Sequence, residues 1–227
     1  MIAAAGLSKR FGQQRVLDEL TLSIRPGERV ALLGLNGSGK TTLFRCLLGL
    51  IRYDGRVRID GLDATRRGRD ARARIGYVPQ RPPLFPGSLG ELVGFFGGLR
   101  GLDPEVVSRR MAALELSLSD HAEKPVRALS GGMLQKTLLA LATAAQVPLL
   151  LLDEPTANLD PRARRDFVRA LEDIPAETTI LLSSHRIEDI RAVAGRLLLM
   201  EGGRIAFDGS FADLEAAGGP ASERWLE

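Results

Sequence analysis

The sequence predicts an α/β fold: a mostly parallel sheet, an N-terminal antiparallel β-subdomain and an inserted α-helical subdomain. Three observations carry this. Short apolar runs at Glu28–Leu33, Leu149–Leu152 and Thr179–Leu182 suit buried strands, each leading into polar residues and then a helical pattern. Residues 2–24 instead alternate as hairpin strands do. From Ser88 to Ala145 strand patterns vanish and helical ones take over. The expected organisation is a single domain, 1–227, with 1–87 and 146–227 forming the α/β core and β-subdomain and 88–145 the helical insert.

Composition narrows the class. Hydrophobic residues make up 44% and charged residues 26%, as in soluble globular proteins. The single cysteine, Cys46, excludes an intrachain disulfide and reads as a small buried apolar residue. No apolar run approaches the roughly 18–20 residues of a membrane span. In Met1–Arg10 the charge follows the apolar part, the reverse of a signal peptide, so a cytoplasmic protein is expected. The net charge is +3, yet Arg66, Arg67, Arg69, Arg72 and Arg74 cluster. With no aromatics interleaved for base stacking, that cluster reads as solvated surface rather than a nucleic-acid or lipid patch.

In chain order, Ile2–Ala5, Arg15–Leu17 and Leu20–Ile24 read as short strands ending at a Pro26-Gly27 turn. Phe11-Gly12 lies in the turn between the first two. An aromatic there can stack on a purine ring or plug a hairpin, and spacing alone leaves both readings open. Val16, on the next strand, joins Phe11 as a candidate nucleotide contact.

Gly34-Leu35-Asn36-Gly37-Ser38-Gly39-Lys40-Thr41 reads G-x-x-x-x-G-K-T, a phosphate-binding P-loop between a strand and a helix. Gly34, Gly37 and Gly39 let consecutive N–H groups, with those of Asn36 and Ser38, turn into one concavity that cradles phosphate oxygens. Lys40 adds a charge within reach of the β and γ phosphates. The Thr41 hydroxyl is placed to ligate Mg²⁺, and Thr42 opens the helix beside it. A Rossmann dinucleotide loop is disfavoured, because Thr42 stands where G-x-G-x-x-G needs a last small residue. The fold is therefore read as a P-loop NTPase core.

Gly55–Gly61 is a further strand, and Arg74–Gln80 another that stops at Pro79, leaving Gln80 at its C-terminal end, where ligands of parallel sheets collect. Asp103-Pro104 is an N-cap with proline at the first helical position, and Val107, Met111 and Leu114 share a face. Ser130, Gly131 and Gly132 precede a helix with Leu134, Leu138, Leu141 and Ala145 on one side, which makes a second helix N-terminus favourable to an anion. Leu149–Leu152 ends in Asp153-Glu154: the first acid suits Mg²⁺, the second can take a proton from an attacking water. Asn158-Leu159-Asp160-Pro161 starts another helix with Asp160 as cap, and His185 ends the Thr179 strand. Arg196–Met200 and Arg204–Phe207 close the chain as a strand pair turning at Gly202-Gly203, before a small, polar tail from Ala216.

With these residues in order, the whole chain resembles the nucleotide-binding subunit of ATP-binding cassette (ABC) transporters. Gly34–Thr42 matches Walker A, Gln80 the Q-loop, Leu129–Met133 the L-S-G-G-x signature, Leu149–Glu154 Walker B, Ala157–Asp160 the D-loop and His185 the H-loop. Phe11 matches the A-loop aromatic, which favours stacking on adenine. The signature is the specific element, since Walker motifs are shared by many NTPases. Met133 in place of the commonest glutamine, Lys136 in place of arginine and Phe11 in place of tyrosine are departures that remove no group assigned to catalysis.

The resemblance implies ATP and Mg²⁺ as cofactors, with Glu154, His185, Gln80 and Lys40 catalytic and Thr41, Gln80 and Asp153 around the metal. It implies a head-to-tail dimer, expected to be a homodimer, in which Ser130, Gly131 and Gly132 of one cassette complete the γ-phosphate site of the other. It also implies an integral membrane permease as a separate chain, docked on the helical insert, with the cassette peripheral on the inner face of the cell membrane and no nucleic acid bound. Gly94–Leu102 and L-S-G-G-M look like subunits serving ABC-2-type exporters, among them the nitrous oxide reductase maturation, drug and haem exporter cassettes. No long C-terminal regulatory extension of the sugar-importer kind and no fused membrane domain are expected. Two rivals stand: a soluble ABC ATPase acting on nucleic acid or the ribosome, and a small-molecule kinase, which leaves the signature unexplained.

Overall fold

A computed structural model describes residues 1–82, 84–157 and 159–217. The chain opens with β1 (Ile2–Phe11) and β2 (Gln14–Ile24), an antiparallel hairpin. The two short strands expected at Arg15–Leu17 and Leu20–Ile24 are one continuous strand. Glu19 (φ 49°) and a shifted register absorb the break that the pattern suggested. Then come β3 (Arg29–Leu33), α1 (Lys40–Leu47), β4 (Asp54–Ile59), β5 (Leu62–Asp63), α2 (Gly68–Ala73) and β6 (Ile75–Val78). The helical stretch comprises α3 (Leu89–Arg100), α4 (Pro104–Ala113), α5 (Leu118–His121) and α6 (Gly131–Ala144). The remainder is β7 (Leu149–Asp153), α7 (Pro161–Glu172), β8 (Thr179–Ser184), α8 (Ile187–Arg191), β9 (Arg196–Glu201), β10 (Arg204–Gly209) and α9 (Phe211–Ala217). Asn158 and the end of the polar tail lie outside the described residues.

Two sheets result. The four-stranded one, order β2-β1-β4-β5, is antiparallel; the six-stranded one, order β10-β9-β3-β8-β7-β6, is parallel except for the β9–β10 pair. The core divides across the six-stranded sheet because side chains alternate along each strand. Ala31, Leu33, Leu150, Leu152, Leu182 and Leu199 face one way, packing with residues of α3, α4, α6 and α7. Val30, Leu32, Leu149, Leu151, Leu181 and Leu198 face the other, packing with α1 and the four-stranded sheet. Cys46 is fully buried in that second layer, where desolvation pushes its thiol up to about 12.

Helix ends follow the sequence. Asp103 caps α4 through Glu105 N–H, with Pro104 in the first turn. Ser88 and Glu91 form a reciprocal capping box on α3, and Asp160 accepts from the N–H groups of Arg162 and Ala163. The arginine cluster spans α2 and its ends, and Arg66, Arg67, Arg69 and Arg74 are exposed, as expected of a solvated surface. Arg67 pairs with Asp70 (2.8 Å), Arg74 with Asp60 (3.6 Å), and the half-buried Arg72 donates to the Leu48 carbonyl just past α1 (3.3 Å). The N–H groups of Thr65 and Arg66 and the Thr65 hydroxyl donate to Asp63 and hold its carboxyl near 2.

The two sheets meet at Gly203, whose carbonyl accepts from Asp18 N–H at 3.0 Å while Arg204 pairs with Asp18 at 2.7 Å. Gly203 has φ +80°, and a Cβ there would stand 2.4 Å from the Val16 carbonyl oxygen. Gly203→Ala therefore combines left-handed strain with a backbone clash and is expected to cost about 3–4 kcal/mol in urea melts. Gly61→Ala, with similar φ (+76°) but open space, is expected to cost only about 1–2 kcal/mol. Equal losses would show that close approach at the sheet junction is unimportant.

Candidate functional site

Parallel register assembles the site. Leu33 is level with Ser184, Ser183 with Asp153, and Leu152 with Val78, so the C-terminal ends of β3, β8, β7 and β6 share one edge. From that edge emerge the Gly34–Thr41 loop, His185, Glu154 and Gln80. The loop, Glu154 and Gln80 help frame a cleft of about 490 Å³ lined by Phe11, Val16, Asn36, Gly37, Gly39, Lys40, Thr41, Thr42, Gln80 and Glu154; His185 is not among its lining residues. Gln14 and Arg81 also line it, two residues the sequence reading did not single out.

The loop is shaped by its glycines. Gly37 and Gly39 have φ of +85° and +108°, and a Cβ on Gly34 would stand 2.6 Å from Ser38 Oγ. Gly39 is the N-cap of α1 and offers no side chain, so the first-turn N–H groups have no side-chain cap. Together with the macrodipole they make this helix end an anion site. Ser38 Oγ is buried and has no hydrogen-bond partner among the described residues.

Lys40 is almost fully buried. Its Nζ donates to the carbonyls of Gly34 (2.6 Å) and Leu35 (3.2 Å) and pairs with Glu154 Oε1 at 3.0 Å. The other carboxylate oxygen, Oε2, accepts from Gln80 Nε2 at 3.0 Å and lies 3.4 Å from His185 Nδ1. Lys40, Gln80 and His185, far apart in the chain, thus converge on the Glu154 carboxylate. Glu154 presents it from an unusual backbone, φ +44°, a conformation that costs a non-glycine residue about 1–3 kcal/mol.

Asp153 is fully buried beside it. Burial pushes its carboxyl above the ordinary carboxylate range, while the Thr41 and Ser183 hydroxyls and Lys40 pull it back. Ser183 Oγ donates to Oδ1 at 2.9 Å, and Oδ2 has no hydrogen-bond partner among the described residues. A buried carboxylate oxygen without a hydrogen-bond partner among the described residues, on an acid that the Thr41 hydroxyl approaches and beside the Glu154 that Gln80 bonds, suits a hard divalent cation such as Mg²⁺. Those three residues fit the ion.

Phe11 projects half-exposed at the cleft mouth, with Lys9 Nζ 4.7 Å from its ring centroid. Ser130, Gly131 and Gly132 stand apart. They open α6, where Ser130 accepts from Met133 N–H, and none of them lines the cleft. The residues missed had signals. Gln14 follows the turn after Phe11 and Arg81 follows Gln80 directly, while Ser183 is a buried hydroxyl at the polar end of β8, where polar groups need partners.

Comparison with known proteins agrees with this geometry. Residues 17–157 match the family model described as ABC transporter. The chain is 38% identical over 209 residues to the Nod factor export ATP-binding protein I of Ralstonia nicotianae, covering 90% of this chain and 65% of that protein. It therefore spans less than two thirds of that relative's length. It is 36% identical over 236 residues to the phosphonates import ATP-binding protein PhnC 2 of Pseudomonas savastanoi pv. phaseolicola, covering 94% and 85% respectively. A solved ATP-binding subunit of an ABC transporter superposes with a TM-score of 0.86 at 27% identity, covering 100% of this chain and 98% of that one.

Removing the charge at the centre of the cleft tests its chemistry. Lys40→Met takes away the cation and leaves the Glu154 carboxylate facing incoming phosphates without it. Affinity for a fluorescent ATP analogue is expected to fall at least ~30-fold, on the scale of a charge-assisted contact. Unchanged affinity would separate Lys40 from phosphate binding.

Proposed function

This chain belongs to the ABC transporter family of ATP-binding proteins, and from that premise we propose that it hydrolyses ATP to power transport through a separate integral membrane subunit. The carrying observation is the convergence of Lys40, Gln80 and His185 on the Glu154 carboxylate beside the phosphate loop. ATP enters with its base against Phe11 and Val16, and its phosphates meet the loop N–H groups from Asn36 to Thr42. Lys40 leaves Glu154 for the β and γ phosphates. That exchange frees a carboxylate oxygen to accept a proton from the attacking water, while Gln80 and His185 hold its neighbours in place. Water adds to the γ-phosphorus, the bond to the bridging oxygen breaks, and ADP and phosphate leave. Thr41, Asp153 and Gln80 would hold Mg²⁺, whose contribution when bound is to neutralise charge on the phosphate oxygens.

The cassette works as half of a head-to-tail homodimer. Ser130 and Gly131 are exposed at an N-terminus remote from their own cleft, which supports their use, with Gly132, against the nucleotide of a second copy. The chain acts as one cassette in which the helices of 88–145 form the partner-facing part. An apolar groove of about 380 Å³ runs there between Tyr77, Pro79, Phe96, Leu102, Leu138 and Leu141. Phe95 and Leu99, 54% and 67% exposed, extend that surface. An apolar groove of this kind suits a helix of the membrane subunit. Among the described residues no helix is long and apolar enough to cross a membrane, so the span comes from elsewhere. We read the system as an exporter of the ABC-2 type: the Gly94–Leu102 and L-S-G-G-M stretches suggest the type, and the similarity to a Nod factor export protein supports export, while the similarity to a phosphonate import protein is the observation against it. The cassette then sits on the inner face of the cell membrane.

Glu154→Gln keeps the size and hydrogen bonding of the side chain but removes the base. It is expected to bind ATP and turn over at least ~100-fold more slowly in a phosphate-release assay. Turnover near the parent rate would take Glu154 out of that role.

Pull-down of tagged Glu154→Gln protein from detergent-solubilised cells with ATP and Mg²⁺ is expected to bring a polytopic membrane protein. Phe95→Asp combined with Leu99→Asp is expected to abolish that capture while leaving nucleotide binding intact. Recovery of ribosomes or DNA complexes without a membrane protein would promote the soluble ABC reading instead.

A further inference from the structure

Ser183 lies at the end of β8, fully buried, level with Asp153 across the parallel β7–β8 pair. Its hydroxyl makes two contacts at once. It donates to Asp153 Oδ1 at 2.9 Å and accepts from the Glu154 backbone N–H at 2.9 Å. The same N–H also reaches the Ser183 carbonyl at 3.2 Å, a three-centre arrangement at the one residue of the pair with a left-handed backbone. Ser183 itself is absent from the cleft lining, although Glu154, which it contacts, is part of it.

We infer that Ser183 is a positioning residue: one hydroxyl sets both adjacent carboxylates, dividing Asp153 into a held oxygen and a free one while fixing the turn that aims Glu154 at Lys40. The inference rests on the ATPase reading above and deepens it.

The physical reason lies in what each acid must do. A carboxylate with two free oxygens can rotate and present either. With Oδ1 held by a donor, the plane is fixed and Oδ2 is left without a hydrogen-bond partner among the described residues. Glu154 needs the opposite treatment, because its side chain must leave the strand direction to meet Lys40 at 3.0 Å and Gln80 at 3.0 Å. Its positive φ achieves that turn, and such a conformation persists only where surrounding bonds over-determine it. The hydroxyl supplies one of those bonds. Because β8 continues directly into Ser184 and His185, the strand carrying His185 also sets the two acids, so the parts of the site move as one unit.

Removing the hydroxyl should therefore impair the chemical step and the use of Mg²⁺ more than the capture of nucleotide. Ser183→Ala is expected to lower kcat at saturating ATP on the order of 10-fold or more, with KM changing less than 3-fold. The second readout is nucleotide affinity with Mg²⁺ and with EDTA, measured with a fluorescent ATP analogue. Affinity in EDTA should match the parent, while the gain on adding Mg²⁺ should shrink at least ~3-fold.

Ser183→Thr and Ser183→Val separate the hydroxyl from packing, since they differ in little but that group. The threonine variant should recover most of the lost kcat and Mg²⁺ gain; the valine variant should not. Thermal melts establish that each variant is folded, and the alanine change, which adds no volume, covers the case in which the larger side chains unfold the strand. Parent-like kcat and Mg²⁺ gain in folded Ser183→Ala would overturn the inference, as would equal behaviour of the threonine and valine variants. A parent chain without turnover would instead sink the ATPase reading, and the Mg²⁺ gain in binding would then decide on Ser183 alone.

Discussion

Strands β3, β8, β7 and β6 run parallel and in register, and almost everything functional in the molecule depends on that alignment. A parallel ladder brings every strand to its C-terminal end on the same side. Four chain segments widely separated in sequence therefore release Gly34, His185, Glu154 and Gln80 along one edge. The apolar interiors of these strands are what enforce the register. Leu150 and Leu152 feed one layer of the core and Leu149 and Leu151 the other, so a slip of one residue would exchange them and turn Asp153 away from the Thr41 hydroxyl. The core and the site are set by the same constraint.

Electrostatics then work within that frame, and they favour function over stability. A buried lysine–glutamate pair is weak evidence for stability, because desolvating two charges offsets much of their attraction. Here Lys40 and Glu154 also satisfy backbone carbonyls and Gln80, which keeps the pair from being a liability. In the proposed mechanism this pair holds a cation ready for the incoming phosphates and a carboxylate ready to act as base, each neutralising the other until ATP exchanges them. Asp153 is treated differently. Its carboxyl is buried and partly unsatisfied, and the oxygen without a hydrogen-bond partner among the described residues suits a metal. Local discomfort of this kind is expected where chemistry is done.

The helical stretch and the β-subdomain serve the same edge from opposite sides. The four-stranded sheet brings Phe11 and Val16 to the cleft, anchored through the Gly203 approach to the Val16 carbonyl and the Arg204–Asp18 pair. The helices leave an apolar groove ending at Pro79, next to Gln80, so a partner seated there would lie within one residue of the cleft. Arg81 lines both cavities. A single strand end thus separates a surface suited to a partner from a site suited to a nucleotide.

By itself the sequence determined the loop, the carboxylate pair, the strand-end polar residues and the alternation of strand and helix patterns, because each depends on local residue types at fixed spacing. The P-loop glycines, the apolar run before Asp153 and the capping residues Asp103 and Asp160 are of this kind. Only tertiary structure decided which of these residues meet. That Lys40 rests on Glu154, that Gln14 and Arg81 reach the cleft, and that Ser183 bonds both Asp153 and the Glu154 N–H at the end of β7 depend on strand order and register, which no local pattern encodes. The same holds for the contacts of the arginine cluster with Asp60 and with the Leu48 carbonyl, which no local pattern encodes, whereas the Arg67–Asp70 pair is local (i,i+3). Contacts across a sheet arise from non-local packing, and packing is settled by the whole chain at once.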